Sequence, residues 1–532
     1  MKQLLQFAAV LEAFALACQE FPSEPPMPVT IAASWPREMF VRDSDTLGLT
    51  VTLRNAPGTG VTGLRTVWQS SDVAVLQVAA VSPSKDASRK DSLTVQLRAV
   101  AKASAPGRVV VSVAVAESSG LARSEFQDTI TVMERWVSVT AGGSHSCALT
   151  IGGTAYCWGT GTSGQIGNGS SAGSLIPVRV FAPSGVSFSY ATAGDAHTCG
   201  AVSAGVLYCW GNNGSGALGT GTRLNVFIPV PVASGQTFLS AAAGAGFTCA
   251  ISDQKYGFCW GIDQVGQVGD NSVPGAGGPC GAAFCKLTPV EVTFGIVGGT
   301  YAYPQFLSLT ASASGAHACG VDVTGSVDCW GWNAFGQLGV GSKPLGTCTV
   351  AGLSFPCSVS AIPITSVVSL GGVSAGGDHT CAVTASGDAY CWGKNASGEL
   401  GAPTSETCVV DLGSGPVSYP CSRSPIRVST STKFSSVGAG STHTCGLTPS
   451  GVAYCWGAND RGQLGDSTFT PRTIPVPVSG GHAFSSLSVG VGHACGVISR
   501  GAAYCWGRND SGQLGNGAQA DSPYPVRVSE HQ

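Results

Sequence analysis

The 532-residue sequence predicts an all-β protein in which a β-sandwich precedes a seven-bladed β-propeller. A motif that ends in Cys-Trp-Gly occurs seven times between residues 135 and 532 and predicts the propeller. Residues 28–134 lack this motif and contain short alternating segments instead, which predict the sandwich. The composition agrees, because 75 glycines and only 11% charged residues are typical of turn-rich β structure.

Residues 1–18, MKQLLQFAAVLEAFALAC, predict an export signal, because Lys2 precedes a short apolar run that ends in small residues. The final four residues resemble the cleavage box of bacterial lipoproteins, which implies that Cys18 becomes the lipidated first residue of the mature protein. Cys18 is also the only one of 21 cysteines without a partner nearby in the sequence. The alternatives are a plain cleaved signal or a misassigned start codon.

Residues 19–27 are rich in proline and predict an extended linker. The alternating segments of residues 28–134 suit the strands of an immunoglobulin-like (Ig-like) sandwich. The phrases VWQSSDVAVLQV and GRVVVSVAV within them resemble the bacterial Ig-like group 2 family. This resemblance implies a spacer or adhesion module at a cell surface. We assign Trp68 to the core of this part rather than to a ligand contact.

Each Cys-Trp-Gly repeat has a second cysteine ten positions upstream, as in residues 146–159, SCALTIGGTAYCWG. The flanking segments are rich in β-forming residues, and Ile151, Gly152 and Gly153 suit a tight hairpin turn between them. Counting back from the turn places the two cysteines opposite each other, close enough for a cross-strand disulfide. The seven predicted pairs are Cys147–Cys157, Cys199–Cys209, Cys249–Cys259, Cys319–Cys329, Cys381–Cys391, Cys445–Cys455 and Cys495–Cys505.

Each repeat offers about four strand-like segments, which is the pattern of a propeller blade. One hairpin cannot bury its own apolar face, whereas a closed ring of seven units can. A linear solenoid would need polar capping units at its ends, and the sequence shows none.

The repeats resemble the regulator of chromosome condensation family through the pattern G-x-x-H-[ST]-x-[AG]-[LV]-[TS]-x-x-G-x-x-Y-x-W-G-x-N-x-x-G-Q-L-G. The resemblance covers residues 135–532 and implies a seven-bladed propeller. The third repeat departs from it, with Phe247 in the histidine position and no asparagine after Cys-Trp-Gly. Paired cysteines are unusual for intracellular members, which implies a different compartment.

The remaining cysteines also predict an oxidising compartment. Six of them form local pairs within insertions: Cys280 with Cys285, Cys348 with Cys357, and Cys408 with Cys421. Such a density of paired cysteines is typical of exported proteins. The absence of any C-x-x-C sequence disfavours zinc and thioredoxin-like sites. The net charge of −3 provides no basic field for nucleic acid.

Several motifs in the repeats resemble catalytic or ligand sites. GTGTSG and GSSAG match phosphate-loop and nucleophile-elbow patterns, but neither is followed by a helix. Six histidines share one repeat position: His145, His197, His317, His379, His443 and His493. A ring spreads them apart, so we predict that they bond backbone between strands rather than bind a metal. The seven Cys-Trp-Gly tryptophans are predicted to pack between blades; a photosensing cluster, as in a plant branch of the family, would need additional tryptophans.

Three consecutive repeats carry insertions, at residues 270–288, 342–362 and 402–424. The insertions follow the same motif, so we expect them in adjacent sectors of one face of the propeller. Each has its own cysteine pair, which would preorganise the loop for binding. We expect these loops to expose Phe284, Phe355 and Tyr419, which are the candidate anchors for a partner. The alternative is that these loops are stapled only for stability.

Together these features predict an exported, lipid-anchored protein of the bacterial cell envelope, or a secreted one, that binds a protein partner. We expect a monomer without cofactor, metal or nucleic acid, and a membrane contact only through the lipid. One alternative is an extracellular hydrolase or lyase in the axial pocket, for which Asp195 and Asp378 are the only candidate carboxylates. The other is nucleotide exchange on a small GTPase, which an oxidising compartment disfavours.

Overall fold

The computed structural model describes residues 135–529, except 273–279, 281–283, 298–299 and 367. Before residue 135 it describes eight strands, and the side chains of only a few of their residues. The chain divides into two compact units, Met1–Met133 and Glu134–Gln532. The predicted export signal, Cys18 and the proline-rich linker lie outside the described residues. Among the described residues, no helix has the length and apolar character needed to cross a bilayer.

The first unit contains two four-stranded sheets, with strand orders β1-β3-β6-β5 and β2-β8-β7-β4. Their strands are β1 (Thr30–Ser34), β2 (Glu38–Phe40), β3 (Thr46–Arg54), β4 (Leu64–Ser70), β5 (Leu76–Val81), β6 (Thr94–Ala103), β7 (Gly107–Glu117) and β8 (Ala122–Met133). Trp68, Val111 and Val113 are buried, and the half-buried Ser112 between the valines shows the alternation of a strand with one inward face. The Ig-like type of this unit stays a prediction.

The second unit consists of seven antiparallel sheets, one for each Cys-Trp-Gly repeat, and confirms the predicted seven-bladed propeller. Blade 1 contains β9 (Trp136–Ala141), β10 (His145–Thr150), β11 (Ala155–Gly159) and β12 (Ser174–Arg179). Blade 2 contains β13 (Phe188–Ala193), β14 (His197–Val202), β15 (Leu207–Gly211) and β16 (Val226–Pro231). Blade 3 contains β17 (Phe238–Ala243), β18 (Phe247–Ser252), β19 (Gly257–Ile262) and β20 (Cys285–Glu291), and a two-stranded ribbon follows, β21 (Ile296–Val297) and β22 (Thr300–Tyr301).

Blades 4 and 5 each have five strands, and blades 6 and 7 have four. Blade 4 contains β23 (Phe306–Ala311), β24 (His317–Asp322), β25 (Val327–Trp332), β26 (Gly346–Val350) and β27 (Leu353–Pro363). Blade 5 contains β28 (Gly372–Ala375), β29 (His379–Val383), β30 (Ala389–Lys394), β31 (Glu406–Asp411) and β32 (Pro416–Arg427). Blade 6 contains β33 (Ser436–Ala439), β34 (His443–Leu447), β35 (Ala453–Gly457) and β36 (Arg472–Pro477). Blade 7 contains β37 (Phe484–Val489), β38 (His493–Ile498), β39 (Ala503–Gly507) and β40 (Ser522–Arg527).

The cysteines of each repeat face each other across the second and third strands of the blade. In blade 1, Cys147 pairs with Cys157 in the strand register, and Gly153 provides the positive φ of 76° in the turn. The Cα atoms of all seven pairs lie 4.0–4.1 Å apart, the spacing of a non-hydrogen-bonded pair, and each pair forms a disulfide.

The hydrophobic core lies between the blades. Trp210 of blade 2 packs against the Cys147–Cys157 disulfide and Ile166 of blade 1, and the other six Cys-Trp-Gly tryptophans make the equivalent contact with the preceding blade. All seven indoles and all seven disulfides are fully buried, as the predicted packing between blades requires. Area bookkeeping gives about 4–6 kcal/mol for each buried indole as an upper estimate.

The ring closes by packing and hydrogen bonds, because each blade is built from one continuous segment and no strand is shared. Trp158 of blade 1 donates from Nε1 to the Gln513 carbonyl of blade 7 at 2.8 Å. The Val491 amide of blade 7 donates to the Gly142 carbonyl of blade 1 at 3.1 Å. The junction between the last and first blades therefore repeats the contacts of the other junctions.

Candidate functional site

The insertions in blades 4 and 5 form outer hairpins. Residues 342–362 contain β26 and all of β27 except its last residue, and residues 402–424 contain β31 and most of β32. Each hairpin is stapled internally, by Cys348–Cys357 and by Cys408–Cys421, with Cα atoms 5.8 Å apart. In blade 3 a disulfide joins Cys280 to Cys285, and most of the predicted insertion lies outside the described residues.

The two hairpins pack against each other and form a single unit, which we call the stapled platform (residues 342–362 and 402–424). Phe335, Phe355, Cys408, Val410 and Cys421 form one buried cluster with contributions from both hairpins. Trp332 lies against Phe355 with ring centroids 4.3 Å apart, and Phe335 meets Tyr419 edge-on at 5.4 Å. Two disulfides and an aromatic core therefore fix this surface before any partner binds.

The exposure of the three predicted anchors differs from the expectation. Phe355 is only 6% exposed, so its prediction as an exposed anchor was wrong. Tyr419 and Phe284 are half-buried, and the Lys286 ammonium lies 5.3 Å from the Phe284 ring centroid. The physical reason is that neighbouring hairpins bury aromatic side chains against each other. This burial removes apolar surface from water, which is favourable.

The exposed apolar side chains of the platform lie instead on its second hairpin. Val409, Leu412 and Val417 are 62%, 56% and 43% exposed. Val409 lies on β31, the edge strand of blade 5, between the inward-facing Cys408 and Val410. The sequence ETCVVD indicates this exposure of Val409, because residues two positions apart share one face of a strand and Cys408 and Val410 both point inward.

A cation is enclosed at the base of the platform. The Lys394 ammonium lies 3.3 Å from an Asp378 carboxylate oxygen, 4.6 Å from the Phe335 ring centroid and 5.1 Å from the Tyr419 ring centroid. Burial raises the pKa of Asp378, against the opposing effect of Lys394. Cation–π contacts of this kind contribute about 0.5–2 kcal/mol, so Lys394 helps fix the two hairpins relative to the blade.

A groove of about 860 Å³ opens between blades 5 and 6, next to the start of the second hairpin. Ala402 and Pro403 line the side of blade 5, and Phe469 and Ile474 line the side of blade 6. Phe469 and Ile474 are both about half exposed, at 52% and 51%. The groove therefore places exposed apolar side chains of blade 6 beside the start of the second hairpin.

The repeat histidines connect neighbouring blades through hydroxyl groups. His197 Nε2 lies 2.8 Å from the Thr248 hydroxyl of the next blade, and that hydroxyl donates to the Ala217 carbonyl at 2.8 Å. The same carbonyl accepts Nε1–H of Trp260 at 2.8 Å. Because the hydroxyl hydrogen goes to the carbonyl, the imidazole must donate from Nε2. The predicted bond to backbone is corrected: the histidine reaches the backbone only through this hydroxyl.

The same contact recurs at five of the seven junctions. The pairs are His145–Thr198, His197–Thr248, His317–Thr380, His379–Thr444 and His493–Ser146, with distances of 2.7–2.9 Å. Burial lowers the pKa of each of the six repeat histidines to about 3 or 4, so they are neutral. Within the described part of the chain, no three His, Cys, Asp or Glu side chains come together as a metal site.

The first strands of neighbouring blades contact one another around the ring. These strands, β9, β13, β17, β23, β28, β33 and β37, are fully described and contain no charged residue, histidine or cysteine. Asp195 and Asp378 lie in loops of blades 2 and 5, which are not neighbours, and Asp378 is paired with Lys394. The first strands around the ring therefore offer a hydrolase or lyase no carboxylate, histidine or cysteine, and Asp378 already has a cationic partner.

Comparison with sequence families identifies the repeat. The profile described as the regulator of chromosome condensation (RCC1) repeat matches residues 152–201, 204–251, 324–383, 386–447, 450–497 and 500–532. A second profile with the same description matches residues 136–165, 372–399, 434–463 and 484–513. Together the matches extend over all or part of every blade.

Two curated proteins illustrate the sequence similarity of this chain to known proteins. The ultraviolet-B receptor UVR8 of Arabidopsis thaliana is 27% identical over 265 residues, which are 49% of this chain and 54% of UVR8. The human E3 ubiquitin-protein ligase HERC2 is 25% identical over 358 residues, which are 66% of this chain and 6% of HERC2. The chain thus spans about half of one relative and a small part of the other.

Two solved structures share the propeller fold. Yeast RCC1 (Prp20), crystallised with Kap60, has a TM-score of 0.56 at 21% identity and covers 75% of this chain and 85% of its own. Human WBSCR16 has a TM-score of 0.58 at 19% identity and covers 71% of this chain and 94% of its own. At these identities the likeness concerns the fold alone.

Proposed function

The chain belongs to the regulator of chromosome condensation (RCC1) repeat family, and from this premise we propose that it is an exported scaffold whose propeller binds a protein partner. The proposed organisation is a lipoprotein-type signal at residues 1–18, a linker at 19–27, an Ig-like spacer at 28–134 and the propeller at 135–532. The scaffold acts as a monomer without cofactor and with no activity of its own as an enzyme.

The disulfides support export. Ten of them fall within residues 147–505, and seven are buried in the cores between blades. Disulfides in this number are typical of proteins in an oxidising environment. Lipidation of Cys18 would then hold the propeller at a membrane surface through the linker and the spacer.

The observation that carries the binding proposal is a preorganised apolar surface. Val409, Leu412 and Val417 are exposed on a hairpin that is fixed by its disulfide and by the aromatic core of the platform. A partner that covers them gains apolar burial without ordering a loop. The half-buried Tyr419 of the same hairpin would lie at the margin of this contact, and Phe284 of blade 3 stays a separate candidate anchor. Yeast RCC1, a propeller of the same family by name, was crystallised with a protein partner, Kap60.

Site-specific photocrosslinking in the native host tests the proposal. A photoreactive residue at position 409, 412 or 417 should crosslink to the same protein. The matched control positions are Leu224, Leu239 and Leu307, which are 73%, 59% and 57% exposed but lie outside the platform, in the loop before β16 of blade 2, on β17 of blade 3 and on β23 of blade 4. Crosslinks of equal yield at platform and control positions would contradict binding through the platform.

Mass spectrometry of the mature N-terminus tests the anchor. The expected mature chain begins at Cys18 and carries a diacylglyceryl group. A mature chain that begins elsewhere without a lipid would remove the anchor and leave a secreted scaffold.

A further inference from the structure

One junction of the propeller contains a histidine without its hydroxyl partner. At the junction of blades 6 and 7, His443 faces the position of Ala494, where five other junctions have threonine or serine. The junction of blades 3 and 4 lacks both groups, because Phe247 replaces the histidine and Ala318 replaces the hydroxyl residue. Three combinations therefore occur: histidine with hydroxyl, phenylalanine with alanine, and histidine with alanine.

The phenylalanine–alanine junction needs no polar partner. Phe247 and Ala318 are both fully buried in the same apolar cluster, together with Trp330. The histidine–alanine junction is different, because His443 is fully buried and neither of its ring nitrogens has a hydrogen-bond partner among the described residues. A buried polar group without a partner costs about 1–3 kcal/mol.

The rest of the junction retains its polar groups. The Gln463 carbonyl still accepts Nε1–H of Trp506, at 3.2 Å, the longest of the seven equivalent bonds, which otherwise measure 2.8–3.0 Å. At five other junctions the equivalent carbonyl also accepts the threonine or serine hydroxyl, as the Gln337 carbonyl accepts that of Thr380 at 2.8 Å. A donor to the carbonyl and an acceptor for the imidazole are therefore both missing at the position of Ala494.

We propose that the junction of blades 6 and 7 is a binding site for one buried water molecule, which takes the place of the missing hydroxyl. Alanine lacks two heavy atoms of threonine, and buried waters occupy sites of this size when they have two to four polar partners. The water oxygen accepts Nε2–H of His443, and one water hydrogen is donated to the Gln463 carbonyl. The second hydrogen faces Cys445 Sγ, by analogy with the Thr444 hydroxyl, which lies 3.8 Å from Cys381 Sγ.

The site is distinct from the platform and independent of the proposed binding function. If the water is present, serine in place of Ala494 should stabilise the protein, whereas serine in place of Ala318 should destabilise it, although both alanines are fully buried at the same repeat position. His443→Phe should also be tolerated, because it recreates the combination of Phe247 with Ala318.

The experiment combines a crystal structure of the propeller-containing chain with thermal unfolding of four variants. In the unmodified protein, at a resolution that shows ordered waters, one water should lie within hydrogen-bond distance of His443 Nε2 and of the Gln463 carbonyl. In Ala494→Ser the serine hydroxyl should replace that water, and the unfolding midpoint should rise by about 1–3 °C. Ala318→Ser should lower the midpoint, because Phe247 offers no N–H donor to the serine oxygen, although the hydroxyl hydrogen can reach the Gln267 carbonyl.

A double-mutant cycle separates the water from a general effect of the serine. His443→Phe alone should change the midpoint little, whereas adding Ala494→Ser to it should lower the midpoint as Ala318→Ser does. A dry, well-ordered junction in the crystal would overturn the proposal. So would an Ala494→Ser variant that is destabilised as strongly as Ala318→Ser.

Discussion

Replacing Glu399 by glutamine should stabilise the propeller in a pH-dependent manner. Glu399 lies in the position that glutamine occupies in blades 1, 3, 4, 6 and 7, and it is buried at 1% exposure. One of its carboxylate oxygens accepts the Ser397 amide at 2.7 Å, as the amide oxygen of Gln463 accepts the Arg461 amide at 2.8 Å. Glutamine therefore preserves the hydrogen bond and removes the charge.

The magnitude follows from the pKa. Burial raises the pKa of Glu399 from 4.5 to about 7. The folded state thus binds an extra proton between these values, so stability falls as the pH rises from 4.5 to 7. A pKa shift of this size lowers the free energy of unfolding by roughly 3 kcal/mol above pH 7 and leaves it unchanged below pH 4.5. Glu399→Gln should remove this loss, and its advantage over the unmodified protein should appear only at neutral and alkaline pH.

Urea unfolding at pH 4.5 and pH 8 measures the effect. The control is Glu291→Gln, an exposed glutamate at the end of β20, which should have the same stability as the unmodified protein at both pH values. A Glu399→Gln variant with equal stability gains at pH 4.5 and pH 8, or with no gain at pH 8, would refute the electrostatic reasoning.

Three further predictions concern the ring and its staples. Burial lowers the pKa of His317 from 6.5 to about 3, so the contribution of the neutral imidazole to stability is present above pH 6.5 and is lost as the pH falls toward 3, by about 1.4 kcal/mol per pH unit. Urea unfolding at a series of pH values should therefore show a shallower dependence of the unfolding free energy on pH for His317→Phe than for the unmodified protein. Gly490→Ala should lower the unfolding midpoint by several degrees, because its Cβ would overlap the Gly142 carbonyl across the closing junction, whereas Gly235→Ala, with open space around it, should not. Replacing the Cys147–Cys157 pair by alanines should cost about 2–5 kcal/mol in unfolding free energy, whereas replacing Cys408–Cys421 should mainly accelerate proteolysis within residues 402–424 and leave the ring intact.

The repeat made most of the propeller predictable. A fixed separation between two cysteines on either side of a turn determines which strand residues face each other, so the register of Cys147 with Cys157 could be counted from the sequence. Seven copies of a hairpin that cannot bury its own face then require a closed assembly. Both inferences use only the local chain and its repetition, and the observed blades agree with them.

The partners of the histidines could not be read in the same way, although the sequence contains them. Four of the six histidines are followed directly by the threonine or serine that bonds the histidine of the preceding blade, so His197 belongs with Thr248 and not with Thr198 beside it. The pairing appears only when one repeat is aligned with the next. When each histidine position is aligned with the hydroxyl position of the next repeat, Phe247 and Ala494 are seen to change the contacts of one junction each.

The platform shows where such reasoning ends. Alternation within β31 predicts that Cys408 and Val410 share a face, but it cannot say that this face meets Phe355 of the neighbouring blade. That contact depends on the distance and angle between two blades, which no single repeat encodes. The conclusion for function is that binding residues should be sought among the side chains that remain exposed after neighbouring insertions have packed together. Phe355 is buried in this way, whereas the aliphatic side chains of Val409 and Leu412 remain exposed to contact a partner.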